Sequence, residues 1–224
     1  MIITIDGPAG TGKTTVAKRT AERLNYSYFD TGAMYRAVAW WLAEKKTDLT
    51  DLDTVDALLR DFPFKIIENE NEKKYFIGDI DVTAIIRTPE VTAAVSTVAA
   101  LKPVREALWR IQRSFAQKGN AVFEGRDMGS AVFPHAEVKI FLTARPEVRA
   151  QRRLDEIVAK NPQEGDVLSH DKMLAAIVKR DHLDSTRALA PLKCPEGALQ
   201  IDTSDLSIEQ IVQKILDYRK LQTQ

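Results

Sequence analysis

Gly7, Pro8, Ala9, Gly10, Thr11, Gly12, Lys13 and Thr14 fit the spacing G-x-x-x-x-G-K-[ST] without a mismatch, and Thr15 follows directly. Glycines at these positions let the backbone turn and leave N–H groups free to face a polyanion. A helix opening near Lys13 would add the positive end of its dipole. In such a loop the lysine reaches the β- and γ-phosphates of a nucleoside triphosphate, and the hydroxyl of Thr14 ligates Mg²⁺. A chance glycine-rich turn is the poorer reading of a full match with a strand before it and a helix after it. The motif specifies triphosphate binding and is silent on the fate of the γ-phosphate.

The rest of the chain narrows that fate. A GTPase switch needs a D-x-x-G strand end and an [NT]-K-x-D base reader, and neither pattern occurs. Large motor ATPases need more chain than 224 residues. A small kinase, passing the γ-phosphoryl group to a second bound molecule, fits the length. Its second site needs a positive lining, and arginine suits phosphate because its planar fork donates two hydrogen bonds at once. Arg36, Arg105, Arg126, Arg180 and Arg187 stand at loop-like or helix-end positions. A solvated surface arginine is the ordinary reading of any one of them. Arg126, however, lies within Gly125-Arg-Asp127-Met-Gly129 at a strand end, and Arg36 follows Asp30-Thr-Gly-Ala-Met-Tyr35 after another. Arg180 and Arg187 bracket Asp181 and Asp184; if the helix persists, their spacing of about two turns places them on one face. Phosphoryl transfer between two anions is mostly positioning and charge neutralisation, so no general base is required. Asp6 and Asp30 read better as buried carboxylates that order the loop.

Short apolar strands alternating with helices must position these residues. The pattern predicts strands over 2–5, 26–29, 121–123, 138–142 and 198–201. It predicts helices over 13–24, 32–43, 52–60, 91–100, 104–118, 146–159, 169–187 and 207–221. Such alternation implies an α/β fold with a parallel sheet covered on both faces and ligands at the carboxyl ends of its strands. The pattern breaks once. Strand-like runs over 64–68 and 74–78 flank the polar stretch Asn69-Glu-Asn-Glu-Lys73, which reads as a hairpin with an exposed turn.

Composition sets the outer limits. The chain has 32 basic and 32 acidic residues, without the basic excess usual for a nucleic-acid binder. No apolar run reaches a membrane span of about 18 residues, and the first residues read as a strand, not a signal peptide, so cytoplasm is the default location. The single cysteine, Cys194, has no partner for an internal disulfide and reads as a structural thiol. His135, His170 and His182 show no metal spacing, and Trp40, Trp41 and Trp109 read as packing residues.

Asp6-Gly-Pro-Ala-Gly-Thr-Gly-Lys13, Asp30-Thr-Gly-Ala-Met-Tyr-Arg36, Gly125-Arg-Asp-Met-Gly-Ser130, Val132-Phe-Pro134 and Arg187-Ala-Leu-Ala-Pro-Leu192 together resemble bacterial cytidylate kinases. The resemblance runs nearly end to end. It implies a nucleoside-monophosphate kinase: a three-layer α/β P-loop NTPase fold with a five-stranded parallel sheet, an inserted NMP-binding subdomain and a short lid. Residues 1–61 and 88–224 would form the kinase core, with the lid at about 154–170 and the core of the insert at 62–87. The implied reaction moves the γ-phosphoryl group of ATP, with Mg²⁺, to CMP or dCMP; a monomer is the expected state.

The resemblance also places residues. Thr31, Arg36 and Arg126 would meet the monophosphate. Ser96, Arg105, Asp127 and Arg187 would surround the cytosine, and Arg180 and Asp184 the sugar. Lid arginines would come from Arg149, Arg152 and Arg153, and Arg153 joins Lys13, Arg126 and Arg180 as a catalytic candidate. Glu124 stands where family members often have Asp, and Thr31 where many have Ser. Base choice follows from hydrogen-bond types: a carboxylate such as Asp127 accepts from cytosine N4, whereas uracil turns an acceptor toward it. Other readings are a small P-loop kinase for a different acceptor, or a nucleotide-binding regulator that transfers nothing.

Overall fold

The computed structural model describes residues 1–69, 72–160 and 169–222. In chain order the elements are β1 (Ile2–Asp6), α1 (Lys13–Leu24), β2 (Ser27–Asp30), α2 (Thr31–Glu44), α3 (Leu52–Arg60), β3 (Phe64–Asn69), β4 (Glu72–Ile77), β5 (Ile80–Asp81), α4 (Pro89–Val98), α5 (Lys102–Ala116), β6 (Ala121–Gly125), β7 (Val138–Thr143), α6 (Pro146–Lys160), α7 (His170–Thr186), β8 (Leu199–Asp202) and α8 (Ile208–Gln222). They gather into two compact units, Met1–Asp30 with Ala116–Gln224, and Thr31–Phe115.

The first unit is built on β-branched runs that are buried on both faces, as a parallel sheet requires. Five strands lie in the order β2-β6-β1-β7-β8, all parallel. Ile3, Ile5, Val122, Ile140 and Leu142 pack against Val16 and Ala17 of α1 and Ile211 and Ile215 of α8. Each such side chain contributes roughly 1.5–3 kcal/mol on burial. Phe29, Phe123 and Phe133 form a second apolar group, with ring centroids 4.7 Å and 4.6 Å apart. β6 runs on to Gly125, past the predicted end at 123, because Glu124 pairs with Ile5 and Asp30, and Gly125 with Asp6. β1 and β6 are therefore neighbours that end side by side, one releasing the phosphate loop and the other the Arg126-Asp127 turn.

The second unit carries a three-stranded antiparallel sheet, β3-β4-β5. β3 and β4 pair as far as Asn69 with Glu72, so ladder formation reaches further into the polar stretch than the sequence pattern implies. Phe62, Phe64 and Tyr75 stack in series, with Trp41 against Phe62. This unit is wider than the 62–87 core read from the sequence. Its helices supply the reason: α2 packs on β4, on α4 and on the short 3₁₀ turn Ile85–Arg87, and Val82 and Ile86 are fully buried. No helix among the described residues is long and apolar enough to cross a membrane.

Candidate functional site

The phosphate loop forms where the sequence places it, between β1 and α1. Gly7 has φ +146°, and a Cβ there would sit 2.1 Å from the carbonyl oxygen of Leu142 in β7. Only glycine lets the chain leave β1 so close to its neighbour strand. Thr11 Oγ1 donates to the carbonyl of Pro8 at 3.1 Å, and Thr203 Oγ1 donates to the carbonyl of Thr11 at 3.1 Å. Gly12, in the left-handed region, precedes the first turn of α1.

Lys13 is buried and folds back over this loop, its Nζ donating to the Pro8 carbonyl at 2.5 Å. Burial, with the neighbouring cations Arg126 and Arg180, holds its ammonium well below the usual lysine range. Beside it, Thr14 Oγ1 donates to Glu124 Oε2 at 3.1 Å, and the Tyr28 hydroxyl donates to Glu124 Oε1. Burial raises the Glu124 carboxyl, with Asp30 adding to the effect and Lys13 opposing it.

The turn after β6 gathers a second cluster. Arg126 Nε donates to Asp184 Oδ2 at 3.1 Å, and its Nη1 to the Gly125 carbonyl at 3.2 Å. Arg187 Nη2 donates to Asp127 Oδ1 at 3.3 Å, and Arg187 Nη1 lies 3.9 Å from Asp184 Oδ1. Arg126, Asp184, Arg187 and Asp127 thus form one chain of alternating charge, with Asp127 and Asp184 buried. Arg180 stands one turn before Asp184 on α7. Arg187 itself is not helical: α7 ends at Thr186, and Arg187 caps it in an extended conformation. The shared helical face expected for Arg180 and Arg187 is therefore cut short, and Arg187 reaches Asp127 through the bend.

In the second unit, Thr31 is buried at the start of α2, Arg36 is half-buried on the same helix, and Ser96 is half-buried on α4. Arg105 is fully buried, donates to the Ala99 carbonyl at 2.9 Å, and lies over the rings of Tyr35 and Trp109.

The three arginines nominated for a lid separate. Arg149 is buried in α6 and tied to the carbonyls of Ala144 and Ala9 at 3.0 Å and 3.1 Å, and to Asp181 at 2.6 Å. Arg152 is tied to Thr203, Oγ1 at 3.1 Å and carbonyl at 2.6 Å. These two brace the phosphate loop from behind. Arg153 is partly exposed and paired with Glu156 at 2.8 Å, an arrangement that holds it weakly. Of the lid segment, 154–160 continues α6, Ser169 caps α7 by accepting from Lys172 N, and 161–168 lie outside the described residues.

Asp6, at the end of β1, is fully buried and accepts from the backbone N–H groups of Met128 and Gly129 at 2.9 Å and 2.7 Å. Burial pushes its carboxyl up to about 7 against the lowering effect of these two bonds; Asp127 adds to the rise and Lys13 opposes it. The Cys194 thiol, itself raised by burial, feels the same carboxylate. The sign of the linkage is fixed. A carboxyl raised on folding binds its proton more tightly in the native state, so stability falls as pH climbs from about 4 to about 7 and the full penalty applies above that. The Tm of the protein is expected to drop by several degrees between pH 5.5 and 8, with a flatter slope in Asp6→Asn. Asp48, Asp51, Asp81, Asp202, Asp205 and Asp217 are shifted down, so their contribution is lost only at lower pH.

This geometry has close relatives in sequence. The family model described as cytidylate kinase matches residues 3–221. The chain belongs to the cytidylate kinase family. A cytidylate kinase of Protochlamydia amoebophila (strain UWE25) is 52% identical over 219 residues, spanning 98% of this chain and 96% of that protein. Cytidylate kinases of Carboxydothermus hydrogenoformans and Bacillus subtilis (strain 168) are 46% and 44% identical, over 97% and 96% of this chain and 96% and 94% of theirs. Among solved structures, a shikimate kinase from Bacteroides thetaiotaomicron shares the fold at TM-score 0.50 and 18% identity, covering 98% of both chains. Sequence reasoning missed Tyr28 and Thr203, gave Asp181 no role of its own, and took Arg149 for a lid arginine and not for a brace of the phosphate loop. No local spacing marks these roles.

Proposed function

We propose that the chain transfers the γ-phosphoryl group of ATP to CMP or dCMP, giving ADP and CDP or dCDP. The observation that carries this reading is the junction of two adjacent strand ends. β1 releases a loop and a lysine suited to a triphosphate, and β6 releases Arg126 and Asp127 into a cluster suited to a second nucleotide. Membership of the cytidylate kinase family supports the choice of acceptor.

Residues 7–15 bind the donor, with Lys13 on its β- and γ-phosphates. Hard oxygen ligands suit Mg²⁺, which keeps much of its water and takes only one or two protein groups beside substrate phosphates. Thr14 and Glu124 fit that need: their oxygens meet at 3.1 Å beside Lys13, and Tyr28 fixes the carboxylate. They would hold the ion that accompanies ATP. Bound there, it neutralises charge on the β- and γ-phosphates.

The acceptor's phosphate is assigned to Thr31, Arg36 and Arg126. Its cytosine is assigned to Ser96, Arg105, Asp127 and Arg187, and its sugar to Arg180 and Asp184. Arg126 and Arg180 already lower the Lys13 ammonium, so positive charge is concentrated where two polyanions would meet. That concentration offsets their repulsion during in-line transfer. Arg153, paired on the surface with Glu156, is assigned to the transferring group, since such an exposed pair costs little to break.

Arg36→Ala is expected to raise the CMP dissociation constant by roughly 10-fold or more, as loss of a charged hydrogen bond does. The ATP constant should stay within about 2-fold, since nothing in the phosphate loop changes. Separate equilibrium titrations of the two nucleotides check this, and equal losses would contradict the assignment. The reaction itself is tested by ADP release with ATP, Mg²⁺ and each nucleoside monophosphate in turn. CMP and dCMP should stimulate it most; stimulation by AMP or GMP instead would replace the acceptor.

A further inference from the structure

We propose that Asp6 is a positioning residue that sets the register between the donor loop and the base-reading turn. The inference rests on the kinase reading above and adds a role within it. Asp6 is the last residue of β1, and the phosphate loop begins at the next residue. Its two carboxylate oxygens are used separately. Oδ1 accepts from Met128 N at 2.9 Å and Oδ2 from Gly129 N at 2.7 Å. Those N–H groups directly follow Asp127, the residue assigned to cytosine N4. The carboxylate therefore joins the chain just before the triphosphate loop to the chain just after the base reader, across strands already paired at Asp6 and Gly125.

The turn it holds is unusual. Met128–Val132 is a single π-type turn, in which Ala131 N and Val132 N both donate to the Asp127 carbonyl, at 2.9 Å and 3.2 Å. π-Turns are rare, occur mostly as single turns and are frequent at functional sites. Gly129 lets the turn sit down on β1: a Cβ there would meet Thr4 Oγ1 at 2.8 Å and Pro195 Cγ at 3.0 Å. Such a contact makes the fit between turn and strand exact in distance and intolerant of bulk. A buried carboxylate is costly, and a neutral residue would serve packing as well. Keeping an aspartate here is explained by its two acceptor atoms, which grip adjacent N–H groups in one fixed orientation.

Asp6→Asn retains size and one acceptor but turns an N–H toward one of the backbone donors. The turn should shift, and Asp127 with it, while residues 7–15 keep their own bonds to one another. Misplacement of a positioned group by about 1 Å can cost up to ~10²-fold. The expected result is a rise of roughly 10-fold in the KM for CMP and a several-fold fall in the preference for CMP over UMP, with the ATP dissociation constant within about 2-fold. A folded Asp6→Asn enzyme with an unchanged CMP/UMP ratio, or with ATP and CMP constants rising together, would overturn the proposal. Should that variant fail to fold, Gly129→Ala displaces the same turn with Asp6 intact. It should give the same acceptor-selective loss, and unaltered CMP constants in it would equally overturn the idea. Wild-type protein in the same assay keeps the two readings apart: no CMP-dependent turnover there defeats the kinase reading, whereas active wild type with unselective variants defeats only the role of Asp6.

Discussion

Lys13→Met is expected to lower CMP-dependent turnover by about 10³-fold, with a folded protein and a Tm no lower than that of wild type by more than a few degrees. Removing one preorganised charge donor from a transition state commonly costs 10²–10³-fold, and Lys13 is the cation folded directly over the phosphate loop. Its burial bears on the stability half of the statement. The native state holds this amine below its ordinary range, so the unfolded chain binds the proton more tightly. The penalty is absent above about pH 10.5, grows as pH falls toward the native value, and is full below it. Methionine removes the penalty and keeps the length of the side chain. Glu124 and Asp6 lose a favourable neighbour in exchange. Activity, not folding, should therefore carry the loss, and circular dichroism melts beside steady-state rates separate the two. A collapse in Tm equal to the loss of activity would make Lys13 a structural residue.

The second large effect concerns base choice. Asp127 is buried and accepts from Arg187 at 3.3 Å. Asp127→Ala removes the acceptor proposed for cytosine N4, and kcat/KM for CMP should fall by ~10²-fold while UMP changes much less. The preference narrows through loss on one side. Asp127→Asn goes further, because its amide offers an N–H that uracil O4 can accept. It should keep Arg187 partnered through its oxygen and raise UMP use above wild type. Rates on CMP and UMP in both variants decide the matter; a constant ratio across wild type and the two variants would remove Asp127 from the base pocket.

Local features were legible in the sequence and distant ones were not. The phosphate loop spans a few consecutive residues flanked by a strand and a helix, so its placement could be read directly. Strand ends carrying Arg126 and Asp127 were legible for the same reason. Asp6 meets Met128 and Gly129 across 122 and 123 positions, and no spacing rule reaches that far. Arg149 and Arg152 illustrate a different failure. Both stand on an arginine-rich helix and were expected, from the resemblance, to serve the lid, yet packing turns them inward against Ala9 and Thr203. Which way a helix faces is decided by tertiary contacts. The end of α7 at Thr186 and the extent of the second unit escaped for kindred reasons. The first depends on a bend that lets Arg187 reach Asp127, the second on helices whose apolar faces match the hairpin.

The most direct test follows the γ-phosphoryl group itself. In a single turnover with γ-labelled ATP, Mg²⁺ and excess CMP, the label should appear in CDP, with only a trace as inorganic phosphate. Label recovered as inorganic phosphate, or left on ATP in a folded sample that binds both nucleotides, would contradict an enzyme built to place a donor and an acceptor phosphate in line.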